Sequence, residues 1–153
     1  MYWTTGIGIL FVTVVGMEGF AWVMHKYVLH GPLWFLHQTH HRPQPSFFEA
    51  NDIISLFYGL LSAALIVYGD LTPTLTGFVA FWGGVGIAVY GVLYFFLHDV
   101  VIHQRIQFRY RFRNGYLLRL IRAHKKHHKH LNRADSEAFG FLYAAPKYDV
   151  GQR

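Results

Sequence analysis

A chain of 153 residues has the length of one domain, and residues 1–153 are read as a single unit. With 53% hydrophobic, 18% aromatic and only 14% charged residues, against about 25% charged in ordinary soluble domains, the composition excludes a typical soluble protein and indicates a membrane protein. The absence of cysteine excludes disulfides, thiolate zinc sites and cysteine-held iron–sulfur clusters, and the net charge of +6 comes with no nucleic-acid-binding motif, so no nucleic acid partner is expected.

Residues 3–24 form an apolar run long enough to span a bilayer, interrupted by one ionisable residue, Glu18. No Lys or Arg precedes the run and no small-residue cleavage site ends it, which argues against a cleaved signal peptide. Glu18 shares a helix face with His25, two turns on, and a carboxylate in a span is costly unless it faces a polar interior. A supporting or cavity role is therefore expected for Glu18.

His25-Lys-Tyr-Val-Leu-His30 is an HxxxxH pattern. Positions i and i+5 lie about 140° apart on an ideal helix, so these rings meet at one metal only if the helix bulges or ends between them. Gly31-Pro32 points to an ending. Pro32 fits the first turn of a short helix carrying His37, His40 and His41, an HxxHH pattern whose rings span about 100° and converge on one point. Arg42-Pro43-Gln44-Pro45 stops that helix, and a connector over residues 43–52 ends in Phe48-Glu49-Ala50-Asn51-Asp52.

A second apolar run, Ile53 to Tyr68, is short for a span, and a turn follows at Gly69 to Pro73. The third run, Leu75 to Leu97, is full length and carries Gly83, Gly84, Gly86 and Gly91 for close helix packing. His98 and His103 then repeat HxxxxH, and His124, His127 and His128 repeat HxxHH. The second HxxHH lies on an amphipathic helix from about Tyr116, whose buried stripe is Leu117, Leu120, Ile121, His124, His127, His128 and Leu131. Arg119, Arg122, Lys126 and Lys129 take the opposite, solvated or headgroup-facing side, and His130 lies off the stripe and is not a ligand. Residues 135–153 form a lid or tail of unassigned role.

Ten of the eleven histidines thus fall into two copies of one pattern, too many for one tetrahedral zinc and a natural fit to two metals. Three spans place residues 25–52 and everything after 98 on one side of the membrane, which the Lys/Arg distribution makes cytoplasmic, with the N-terminus and the Asp70 turn opposite. The expected fold is an all-α integral membrane bundle of about three transmembrane helices, with a cytoplasmic helical cap that carries a histidine-rich dinuclear site. Imidazole ligands suit redox iron with positions open for dioxygen, and the Glu-x-x-His of carboxylate-bridged diiron bundles is absent. Such a site beside apolar helices suits attack on an unactivated C–H bond of a lipid.

The motifs HKYVLH, HQTHH, HDVVIH and HKKHH, with Gly16-Met-Glu18, Phe48-Glu-Ala-Asn-Asp52 and Phe139-Gly-Phe-Leu-Tyr143, resemble those of the bacterial-type β-carotene 3-hydroxylases of the fatty acid hydroxylase and sterol desaturase superfamily. The likeness runs from about residue 10 to 148, and Arg42-Pro-Gln-Pro-Ser46 departs from it. It implies a membrane-bound non-haem diiron monooxygenase that converts β-carotene through cryptoxanthin to zeaxanthin, using two iron ions, O2 and a ferredoxin-type electron donor. The family's metal ligands map onto His25, His30, His37, His40, His41, His98, His103, His124, His127 and His128, with no further catalytic residue; Asp52 and Asp99, close in sequence to ligands, are candidates to accept imidazole N–H bonds, with surface solvation the alternative, and Asn51 is assigned a supporting or cavity position. A C40 carotenoid is about as long as the ~30 Å hydrocarbon core, so one ring reaches the interface where the histidines lie. A ketolase, a sterol or fatty acyl hydroxylase or a desaturase would share this histidine box. A haem protein would leave about six histidines unexplained, and a metal transporter should place its ligands near mid-membrane rather than at span ends.

Overall fold

The computed structural model describes residues 2–42, 46–107, 112–134, 136–149 and 151. Pro43 to Pro45, the expected helix stop, and Asp135, the start of the tail, lie outside the described residues. Every regular element among them is helical: α1 (Tyr2–Val23), α2 (Trp34–His41), α3 (Asp52–Leu71), α4 (Leu75–Tyr94) and α5 (Gly115–His127). π-helical segments follow α1 (Met24–Leu29) and α4 (Phe95–Ile102), and a short 3-10 turn covers Pro146–Tyr148. Three helices are long and apolar enough to cross a membrane, Tyr2–Leu29, Asp52–Leu71 and Leu75–Ile102.

The second span is longer than its apolar run suggests, because Gly69 and Asp70 do not break it. A Cβ at Gly69 would lie 2.5 Å from the Gly77 carbonyl and the Phe81 amide, so this glycine serves close packing of α3 on α4 rather than a turn. The helix ends before Pro73, which disfavours helical geometry at Thr72.

The chain divides into two compact units, Met1–Met17 with Asp52–Leu93, and Glu18–Asn51 with Tyr94–Arg153. In the first unit the helices meet through small residues. Gly84 packs on Leu65 and Ile66, Gly86 packs on Thr13 and the Leu10 carbonyl, and the buried Ser62 hydroxyl donates to the Gly84 carbonyl at 2.8 Å. Gly83 and Gly91 face open space instead, so they do not share the packing role expected of them. Large apolar side chains such as Leu56, Leu60 and Val92 are exposed, as lipid-facing residues are.

In the second unit the π turns resolve the i, i+5 problem. The His30 amide donates to the His25 carbonyl at 3.0 Å, and the His103 amide to the His98 carbonyl at 2.9 Å, so each HxxxxH pair is joined across a helix bulge rather than a helix end. A Cβ at Gly31 would overlap the Tyr27 carbonyl, which is why glycine follows the first bulge. Asn114 caps α5 by accepting from the Tyr116 and Leu117 amides at 2.9 and 3.2 Å. Leu120 and Ala123 of α5 form a small core with Ala144.

Two expectations about α5 change. The helix ends at His127, so Leu131 leaves the stripe and is 55% exposed, and the helical phase that set His130 apart does not apply to it. Arg119 is not a solvated charge, because it forms a two-pronged ion pair with Asp149 at 2.6 and 2.8 Å. The glycine packing is testable. Gly86→Leu should cost roughly 1–3 kcal/mol by overpacking and lower the thermal midpoint in detergent micelles by several degrees, whereas Gly83→Leu should leave it within about 1 °C.

Candidate metal centre

The second unit gathers the histidines into two groups. His25, His30, His37, His41 and His127 form one and His40, His98, His103 and His124 the other, and within each group the ligand nitrogens lie within 4.8 Å of one another. Both HxxxxH pairs stay whole, one in each group. The HxxHH triplets do not converge on single points: His37 and His41 serve the first group while His40 serves the second, and His127 serves the first while His124 serves the second. An arc of about 100° on a helix is wide enough to address two neighbouring points, and here it does. His128 belongs to neither group; its ring lies 4.6 Å from those of His40 and His41 and 4.5 Å from that of His124, between the two.

The hydrogen bonds fix which nitrogen of each ring is available. Nδ1 of His25 donates to the Phe139 carbonyl (2.9 Å), of His30 to Arg133 (3.1 Å), of His41 to His130 (3.0 Å) and of His127 to Glu137 (2.9 Å). Nδ1 of His37 meets Asn51 Oδ1 (2.8 Å), of His40 Glu49 Oε2 (3.1 Å) and of His98 Asp99 Oδ1 (2.7 Å). These oxygens only accept, so each Nδ1 carries the proton and each Nε2 is a bare lone pair. In the first group these lone pairs face each other: His25 to His37 at 3.0 Å, His37 to His41 at 3.2 Å, His41 to His127 at 3.1 Å and His127 to His30 at 3.2 Å.

No hydrogen is left to join those pairs, so only a shared cation makes the contacts favourable. Two nitrogens at right angles about an ion, each about 2.1 Å from it, sit about 3 Å apart, so the donor set fits a metal. In the second group His103 Nε2 lies 2.8 Å from His124 Nε2, and among the described residues the buried Nε2 atoms of His40 and His128 have no hydrogen-bond partner. An orphaned buried imidazole nitrogen is what a ligand position looks like without its ion. Both groups consist of imidazole alone.

The supporting residues were only partly legible. Asn51 accepts from His37 while Asp52 is the first residue of α3, and Asp99 accepts from His98. Glu49 and Arg105 were missed: Glu49 binds His40, and Arg105 lies 3.3 Å from Glu49 and 3.8 Å from Asp99, tying the two carboxylates together. The turn that delivers Arg105 passes through Gln104 with φ 54°. A conserved-looking spacing could not have found the carbonyls of His130, Arg133, Glu137 and Phe139, because a backbone acceptor carries no residue signature.

Those carbonyls give the C-terminal segment its role. It is the outer wall of the first histidine group, with Phe141 stacked on His25 at 5.2 Å. Ala138 takes the left-handed conformation, φ 61°, between the two carbonyls that hold His127 and His25, a backbone cost accepted where the surroundings over-determine it. Glu18 anchors this wall: its Oε1 accepts from the amides of Phe141, Leu142 and Tyr143 at 3.0, 2.9 and 3.1 Å. Glu18 therefore supports His25 through the segment whose Phe139 carbonyl holds that ring.

Comparison with known proteins gives a consistent picture. The family profile described as fatty acid hydroxylase matches residues 10–146. The chain is 44% identical to a β-carotene hydroxylase of Pantoea ananas, over 95% of this chain and 81% of that protein, and 38% identical to one from a Paracoccus species, over 93% and 86%. A chloroplastic β-carotene 3-hydroxylase of Haematococcus lacustris is 37% identical over 82% of this chain and 41% of its own length. No solved structure matches.

Two predictions follow from the geometry. His127→Ala removes a nitrogen that faces both His30 and His41 and should abolish metal retention, whereas His130→Ala keeps the carbonyl that holds His41 and should retain metal; elemental analysis of the purified variants decides. The second concerns pH. Burial, the largest cause at each, holds His37 down to about 3 and His41 and His103 to about 4, with Arg105 adding to it at His103. The folded rings stay neutral while the unfolded chain takes up protons below about 6.5. Stability is then fully present above pH 6.5 and falls towards pH 4, by up to about 1.4 kcal/mol per pH unit for each ring. The thermal midpoint of chelated protein should drop steadily between pH 7 and pH 5, and a flat profile would show that the rings charge freely in the folded state.

Proposed function

The chain belongs to the fatty acid hydroxylase family, and on that premise we propose that it hydroxylates C3 of the β-ionone rings of β-carotene, forming cryptoxanthin and then zeaxanthin. The observation that carries the proposal is the pair of all-imidazole groups with inward-facing lone pairs, joined to 38–44% identity with bacterial β-carotene hydroxylases over most of the chain.

Two iron ions would be held by the ten histidines, with His25, His30, His37, His41 and His127 on one, His40, His98, His103 and His124 on the other, and His128 between. When bound, the irons supply the redox chemistry by which one atom of O2 enters the C–H bond and the other leaves as water, at the expense of two electrons and two protons. The protein's own contribution is orientation and exclusion. The Nδ1 acceptors hold seven of the rings, His25, His30, His37, His40, His41, His98 and His127, in one tautomer and one direction. Phe139 and Phe141 on the first group, and Tyr94 stacked on His98 at 4.5 Å, cover the site with aromatic surface that keeps water out. Electrons come from a ferredoxin-type carrier. The histidine side faces the cytoplasm and the N-terminus the opposite side, as the basic residues favour, and a carotenoid spanning the bilayer brings one ring to that level.

Expression in cells that accumulate β-carotene, with pigment analysis and iron measured on the purified protein, tests the proposal. Zeaxanthin with a cryptoxanthin intermediate is the expected result. A keto carotenoid, or unchanged β-carotene with iron fully loaded, overturns it.

A further inference from the structure

Apart from the histidine groups, the second unit holds a cavity of about 360 Å³, lined by Gly19 and Trp22 of α1 and by Phe139, Tyr143, Ala144 and Tyr148 of the C-terminal segment. No histidine lines it among the described residues. Phe139 is the partition between this cavity and the five-histidine group: its ring lies 5.3, 5.2 and 5.3 Å from the rings of His25, His30 and His127, and its carbonyl holds His25. One side chain separates the two spaces.

The lining says what kind of molecule fits. A volume at the low end of small-molecule pockets accommodates a ring with its substituents and excludes a whole C40 chain. The aromatic walls favour a compact apolar ring. Gly19 opens one side, since a Cβ there would meet nothing within 4 Å. The charged side chains at the cavity are already engaged: Glu18 by three amides, and Glu137 by Lys147 and the Tyr148 hydroxyl. An occupant therefore finds no unpaired charge and is neutral. Gly19 and Trp22 belong to a helix long and apolar enough to span a membrane, so a lipid-dissolved molecule has access.

We propose that this cavity binds one ring end of the carotenoid, one side chain away from the metal centre, with Phe139 as the positioning residue between them. The identity of the ligand rests on the hydroxylase reading; the preference for a neutral ring rests on the cavity itself. The test uses iron-loaded protein in zwitterionic nanodiscs, titrated with β-ionone as the ring probe and followed by tryptophan fluorescence. Saturable quenching is expected, and it should disappear in Trp22→Phe. Gly19→Phe should weaken β-ionone binding at least tenfold with iron content unchanged, and Gly19→Val, a gentler filling, should weaken it by an intermediate factor. Palmitate, a charged linear chain, should not compete.

Wild-type β-ionone affinity in both iron-loaded Gly19 variants overturns the proposal, as does displacement by palmitate at equal concentration, which marks an acyl-chain groove. Conversion of β-carotene by the wild type is assayed alongside. Product formed with no cavity effect removes the cavity proposal alone, whereas saturable ring binding without any hydroxylated product removes the hydroxylase reading and leaves the neutral-ring site standing.

Discussion

The structure depends on one repeated interaction, an imidazole whose Nδ1–H is given to an oxygen that can only accept. Seven rings are held this way, by four backbone carbonyls, two carboxylates and one amide oxygen. Each bond fixes the tautomer and turns Nε2 inward as a lone pair. Gathered at 3.0–3.2 Å in the five-histidine group, those lone pairs repel unless a cation lies among them. The second unit is thus arranged around a charge that the chain itself does not supply.

Helix geometry explains why the pattern is doubled in the sequence. A π turn brings i and i+5 together, so each HxxxxH serves one group, and each HxxHH fans across both. Neither copy completes a group alone: the first needs His127 from α5, and the second needs His40 from α2. That interlock requires α2 and α5 to be on the same side of the membrane, which three spans achieve.

Much of this was legible in the residues. The spans follow from apolar length, and the pairing of His25 with His30 and of His98 with His103 from spacing, because periodicity and ligand chemistry act locally. The legible part stops where tertiary contacts decide. HxxHH reads as three rings meeting at one point, but each triplet is divided between two, because tertiary packing decides which ring faces which group. Gly69 reads as a turn but is a packing glycine, and Arg119 reads as a solvated face but is claimed by Asp149. The segment after residue 135 carries no motif for the task its Glu137 and Phe139 carbonyls perform, and reading Glu18 on the His25 face did not show that its partners are three amides far along the chain.

The balance of buried residues in the second unit points to how it holds together. Among the described residues its buried apolar side chains are few, Leu29, Val100, Val101, Leu120, Ala123, Phe141 and Ala144, and its most deeply buried large side chains are His25, His98 and His127. Burying neutral imidazoles with unshared lone pairs costs free energy that so small a core offsets only in part. Binding of an ion to such a set returns that cost, so metal affinity and folding free energy become one quantity here. The first unit is different in kind, since its helices pack through Gly84, Gly86 and Ser62 and owe nothing to a ligand. A single chain therefore combines a part whose helices pack through small residues with a part whose histidine groups are built to accept a metal, and Glu18 and Ala138 matter because they shape the backbone on which the second part's imidazoles rest.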